Sequence, residues 1–239
     1  MSYLGSQNHK IIRISILEVF FCLGYSLKVR TCIMSLKSIY ERKNSMKQKE
    51  LNAIEKLQRN GLYLKRYKNQ TEAMCLAAVQ QNGAALEYVK EQTPEICLEA
   101  VKQDGYALYY VRNQTPEICL AAVKQKGFVL QLVKEQTPEI CLEAVKQNCW
   151  ALADVKEQTP ELCLAAVKQD ARALQYVEQQ TPELCLAAVT QDGTALEYVK
   201  EQTLKLCLEA INQYPKSIFY VKDDEMLKQV LMELRKQSL

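Results

Sequence analysis

The twelve residues QTPEICLEAVKQ occupy positions 92–103 and again 136–147, and a copy with one change, QTPEICLAAVKQ, occupies 114–125. The copies start 22 residues apart, and the same register continues in both directions, with units opening at Gln70, Gln92, Gln114, Gln136, Gln158, Gln180 and Gln202. A fixed period of this length marks a stack of identical supersecondary units rather than a reactive motif. A degenerate unit starts near Gln48, because NGLYLKRYKN (Asn60–Asn69) matches NGAALEYVKE (Asn82–Glu91). After the last unit comes DDEMLKQVLMELRKQ, in which Leu227, Val230, Leu231 and Leu234 fall at helical spacing. The terminal units of an open stack face water and must differ from the rest. The organisation expected is a basic extension over residues 1–47, a repeat array over 48–223 and a capping helix over 224–239.

Each unit reads as two short helices. Thr93 is an N-cap whose hydroxyl can accept an orphan backbone N–H, Pro94 suits the first helical position, and Glu95 sits at the positive end of the helix dipole. The second start is marked by QDG or QNG. Its glycine column also holds Cys149, Ala171 and Pro215, and proline cannot take positive φ, so the Asp/Asn column is the expected N-cap. At 100° per residue, Ile96, Ala100, Cys97, Val101 and Leu98 span an arc of about 200°, wide enough for a helix with a neighbour on each side. Counted the same way from Tyr106, the residues Tyr110, Ala107, Val111 and Leu108 form the apolar arc of a second helix of about ten residues. Neither helix is long enough to persist alone. The architecture expected is all-α, an α-solenoid of two-helix repeats.

Ten cysteines would imply disulfides if their spacing allowed it. Seven of them, Cys75 to Cys207, recur every 22 residues, none forms a CxxC pair, and the single histidine, His9, is distant from all seven. A zinc site needs clustered ligands, so none is expected from that pattern. Equivalent helices should lie about 8–10 Å apart, beyond the roughly 7 Å reach of a disulfide. The column is therefore expected to stay reduced and to pack as small apolar residues, which suits an intracellular, reducing compartment.

Charge is divided unevenly. Residues 1–69 hold 14 Lys/Arg against 4 Asp/Glu, and residues 70–239 hold 17 against 24. A head at +10 on a body at −7 makes nucleic acid or an anionic surface a candidate partner for Lys28, Arg30, Lys37, Arg42, Lys43, Lys47, Lys49 and the Arg59–Lys68 cluster. The longest uncharged run near the start, Val19–Leu27, is nine residues and too short to cross a bilayer. Lys10 and Arg13 ahead of an apolar stretch imitate a signal peptide. Glu18 interrupts that stretch and no cleavage site follows, so secretion is not expected.

The units QTPEICLEAVKQDGYALYYVRN and their copies resemble the repeat family known as domain of unknown function 4116, common in giant DNA viruses of amoebae and found in some bacteria and protists. The resemblance covers residues 48–223 and implies no activity, cofactor or catalytic residue; a viral member would work in the host cytoplasm. A weaker likeness is to variant leucine-rich repeats, in which the second element is a 3₁₀-helix. That alternative stays open for DGYALYYV.

Identical columns build the fold. The glutamine columns at the joints either close turns or offer an amide ladder to a bound peptide backbone. Columns that vary are free of that duty. One reads Ala84, Tyr106, Phe128, Trp150, Arg172, Thr194, and the next on its face reads Glu87, Tyr109, Gln131, Ala153, Gln175, Glu197. Tyr106, Tyr109, Phe128 and Trp150, with Arg172 beside them, are the expected partner-binding residues, since clustered Tyr, Trp and Arg anchor interfaces. The alternative is aromatic packing against the next repeat. Cys149 stands in the glycine column at a predicted helix start, either as a reactive thiol or as a tolerated small residue. With no phosphate loop and no carboxylate pair outside the repeats, the chain reads as a non-enzymatic scaffold for protein or peptide. Nucleic-acid binding through the basic segment, or a self-associating rod, are the alternatives.

Overall fold

In the computed structural model, which describes residues 27–237, the 22-residue period becomes an alternation of one α-helix and one 3₁₀-helix. The elements are α1 (Leu27–Arg59), η1 (Gly61–Arg66), α2 (Glu72–Gln81), η2 (Gly83–Tyr88), α3 (Pro94–Gln103), η3 (Gly105–Tyr110), α4 (Pro116–Gln125) and η4 (Gly127–Leu132). They continue as α5 (Pro138–Gln147), η5 (Cys149–Asp154), α6 (Pro160–Gln169), η6 (Ala171–Tyr176), α7 (Pro182–Gln191), η7 (Gly193–Tyr198), α8 (Leu204–Gln213), η8 (Pro215–Tyr220) and α9 (Asp224–Gln237). The chain divides into two compact units, Met1–Glu55 and Lys56–Leu239. The described part of the first is α1 up to Glu55. The second is an α-solenoid, in which each α-helix and each 3₁₀-helix packs against its counterpart in the next repeat.

Both predicted caps are present. Thr93 accepts from the Ile96 N–H at 3.3 Å, with Pro94 in the first turn. One residue past α3, Asp104 is extended at φ −147° and its carboxylate accepts from the Tyr106 N–H at 3.1 Å. No glycine in the column needs a left-handed backbone, which is why Pro215 can stand there. The column is small for another reason. A Cβ on Gly83 would lie 2.6 Å from the carbonyl oxygen of Ala100 in the next repeat, so the backbones meet where a side chain would intervene.

The second element corrects the sequence reading in length and period. It is a six-residue 3₁₀-helix, closed by bonds such as Ala107 N–H to Asp104 O at 2.8 Å, and not an α-helix of about ten residues. A unit that spends ten residues on its α-helix has little chain left before the next cap, and the tighter helix covers the return distance with fewer residues. At three residues per turn, side chains three apart eclipse, which sorts the element into three lines. Gly105, Leu108 and Val111 form the buried line; Ala107 is buried with Tyr110 half-buried; Tyr106 and Tyr109 form the third line, facing outward. Counting at 100° wrongly set Tyr110 beside Tyr106.

The core is a set of columns. Ile96, Cys97, Ala100 and Val101 of α3 are buried, and so are their equivalents in α4 to α8. Leu86, Leu108, Leu130, Leu152, Leu174 and Leu196 are completely buried in successive 3₁₀-helices. Each fully buried leucine is worth about 1.5–3 kcal/mol of apolar burial. At the C-terminal end, α9 packs against α8, with Val230 buried and Leu231 half-exposed on its edge.

Candidate functional site

The repeated twelve residues begin and end in glutamine, and each of these makes a different joint. Gln92 reaches forward: its amide nitrogen donates to Leu86 O at 3.3 Å and to Tyr110 O, in the next repeat, at 2.9 Å. Its Oε1 accepts from the Arg112 N–H at 3.0 Å and from the Cys97 thiol at 3.8 Å. Gln103 reaches backward, accepting from the Gly83 N–H at 2.6 Å. Gln114, Gln136, Gln158, Gln180 and Gln202 repeat the forward joint. With two donors and two acceptor sites engaged, the Gln92 amide has nothing left to offer a bound peptide, so the opening glutamine column closes the joints between repeats.

The backward joint forms opposite four glycines of the column but not opposite Gly193, whose neighbours are Ala210 O, Ser217 Oγ and Tyr214 Cβ. Gln81, Gln103, Gln125 and Gln147 bond to the N–H of Gly61, Gly83, Gly105 and Gly127. Where the column holds Cys149 and Ala171, the corresponding Gln169 and Gln191 donate instead to Lys146 O at 2.8 Å and Lys168 O at 3.4 Å. A Cβ on Gly105 would come within 3.0 Å of the Gln125 Oε1, so a side chain here displaces the amide.

A third joint escaped the sequence reading. In most repeats a cation stands two residues before the opening glutamine and donates to carbonyls of the preceding repeat: Lys90 to Lys68 O at 2.6 Å, Arg112 to Lys90 O at 2.8 Å and Val89 O at 3.0 Å, Lys156 to Lys134 O at 2.9 Å. Its 22-residue recurrence was the available signal. Glu178 interrupts the column, and beyond it Lys200 resumes by donating to Val177 O and Glu178 O.

The eight cysteines of the repeat array, Cys149 and the seven of the column from Cys75 to Cys207, are free and buried. Burial pushes the thiols of the repeated column up, which makes them poor nucleophiles near neutral pH. Cys149 is raised for the same reason, with Asp170 adding to it, so its place at a helix start does not activate it. Its six-residue helix supplies little dipole.

The varied column lies on the third line of the 3₁₀-helices. Tyr106 is 45 % exposed, Tyr109 72 % and Phe128 42 %, on the adjacent elements η3 and η4. Trp150 is half-buried, edge-on to Tyr176 of the next repeat at 5.7 Å, with the Arg172 guanidinium over its ring at 5.5 Å. Lys126, missed by the sequence reading, puts its ammonium 4.6 Å above the Tyr106 ring and 3.0 Å from Asp104. Arg172 is held by Asp170 through two bonds of 3.1 and 2.8 Å, and these hold the Asp170 carboxyl below its ordinary range. Cations of one repeat thus cover aromatic rings of the repeat before, and Tyr109 and Phe128 present open ring surface between them.

Among the described residues no group of three or more His, Cys, Asp or Glu could hold a metal ion, and no helix is long and apolar enough to cross a membrane. His9, Lys10, Arg13 and the Val19–Leu27 run lie wholly or mostly outside the described residues.

The model of the family described as "Domain of unknown function (DUF4116)" matches residues 72–115, 93–137, 115–158 and 159–205. These tandem segments each span about two repeats and together cover more than half of the chain, which belongs to this family. No curated protein and no solved structure matches.

Proposed function

We propose that this repeat array is a non-enzymatic scaffold that docks a protein or peptide on the outward line of its 3₁₀-helices, through Tyr106, Tyr109, Phe128, Trp150 and Arg172. The observation that carries this reading is the contrast in exposure: one line of η3 is buried, one is half-buried, and the third holds two tyrosines in solvent. Solvated rings stabilise little in the free chain, whereas Tyr, Trp and Arg are the side chains that anchor interfaces. A tandem helical stack is also an unusual frame for catalysis. Free cysteines throughout the described array fit a reducing compartment.

Affinity capture from the native cell, with wild-type chain and a Tyr106→Ala/Trp150→Ala variant of unchanged circular dichroism, tests the reading. The variant is expected to lose a partner that wild type retains; identical captures would refute it.

A second reading rests on α1, where Arg42, Lys43, Lys47 and Lys49 are all exposed along one continuous helix. Nucleic acid bound there would dissociate steeply with salt, and neutralising these four side chains would abolish the salt dependence.

A further inference from the structure

We infer that the partner of the aromatic line is an acidic peptide in an extended, three-residues-per-turn conformation, an inference that rests on the docking reading above. Four α-helices carry a lysine in their last turn: Lys102, Lys124, Lys146 and Lys168. They are the four whose following 3₁₀-helix carries Tyr106, Phe128, Trp150 or Arg172. The helices α2, α7 and α8 have no basic residue in that turn and fold in the same way, so the fold does not demand the cation. Lysine at a helix C-terminus has a small favourable interaction with the dipole, but that applies equally to the helices that lack it.

The lysines stand a few residues before the aromatic column, at the edge where each α-helix passes into its 3₁₀-helix. All four are exposed. Lys102 is paired with Glu99 at 3.1 Å, whereas Lys124, Lys146 and Lys168 make no ion pair among the described residues. The cations that touch the rings, Lys126 and Arg172, are already matched by Asp104 and Asp170. The last turns therefore offer three uncommitted positive charges in consecutive repeats, each four residues before the varied column. Charge complementarity asks for carboxylates at the repeat spacing, about 8–10 Å. A polyproline-type peptide returns every third side chain to one side after about 9.3 Å and loses little entropy on binding. Its carboxylates would meet Lys124, Lys146 and Lys168 while intervening apolar side chains lie on Tyr106, Phe128 and Trp150.

A nucleic acid fits this edge less well. It carries a charge on every nucleotide, closer together than one uncommitted lysine per repeat can match, whereas a peptide can space its carboxylates three residues apart.

Selection of a displayed random dodecapeptide library on the full-length chain tests the inference, with anisotropy titrations of the enriched peptides. Enriched peptides are expected to carry Asp or Glu at three-residue intervals. Their affinity should drop about tenfold for a Lys124→Gln/Lys146→Gln/Lys168→Gln variant, the loss of three exposed ion pairs, and drop with salt. The Tyr106→Ala/Trp150→Ala variant should lose them as well. Neutral or basic winners, or winners indifferent to the lysine variant but lost with the aromatic one, would overturn the acidic partner and leave the docking face standing. Winners indifferent to both variants, or no winners, would overturn both. An oligothymidylate that binds more tightly than any winner and is lost in the lysine variant would assign the edge to nucleic acid and overturn the peptide.

Discussion

The α-helix and the 3₁₀-helix of one repeat are separated by a single residue, Asp104 between α3 and η3, yet their side chains are held to different standards. In α3 the arc from Ile96 to Val101 is buried and Gln103 bonds to the preceding repeat. In η3 the three-residue period assigns two lines to packing and leaves Tyr106 and Tyr109 with no backbone to join and no core to fill. Repetition in this chain marks what each unit owes its neighbours. Variation marks what it does not. The comparison teaches that in a stack of this kind the duty of a column can be read from its period-to-period spread.

Four substitutions probe the contrast, in falling order of expected effect. Gln92→Ala should be the most damaging, because it strands Tyr110 O, the Arg112 N–H and the Cys97 thiol together, and a loss of about 3 kcal/mol in urea unfolding is expected. A loss under about 0.5 kcal/mol would show that the joint is decorative. Gly105→Ala introduces a Cβ 2.8 Å from Ala122 O and should cost about 1–3 kcal/mol by the same measurement, bounded because Ala171 already occupies the column elsewhere. Ser217→Ala should act in the opposite direction. Its hydroxyl is completely buried without a hydrogen-bond partner in a column that is Ala or Val in the six preceding repeats, so thermal denaturation should show a gain of about 1 kcal/mol. Tyr109→Ala, on the outward line, should move stability by less than about 0.5 kcal/mol. A larger loss would mean that the face is structural after all.

Much of this was legible in the residues. Thr93, Pro94 and Asp104 announce their caps because capping is local chemistry, and the 22-residue register exposes the core columns without any knowledge of the fold. The six-residue 3₁₀-helix was legible only as the alternative that the likeness to leucine-rich repeats left open, since a segment this short is too brief for periodicity to choose between 100° and 120°, and the backbone bonds decide between them. The joints of Gln92 and Arg112 were hidden for another reason: their partners are carbonyls 18 to 23 residues away, which carry no side-chain signature. The aromatic column was visible as variation, but its cover was not. Lys126 over Tyr106 and Arg172 over Trp150 come from the next repeat and become neighbours only through stacking.

Hydroxyl-radical footprinting of the full chain, alone and with a partner captured from its native cell, tests the central claim most directly. It reports side-chain exposure at each aromatic residue. The account predicts that Tyr106, Tyr109, Phe128 and Trp150 lose reactivity together on binding while Phe219, far along the array and 81 % exposed, does not change. Unchanged reactivity at those four residues, with protection confined to α1 or to the outer surface of the α-helices, would contradict it.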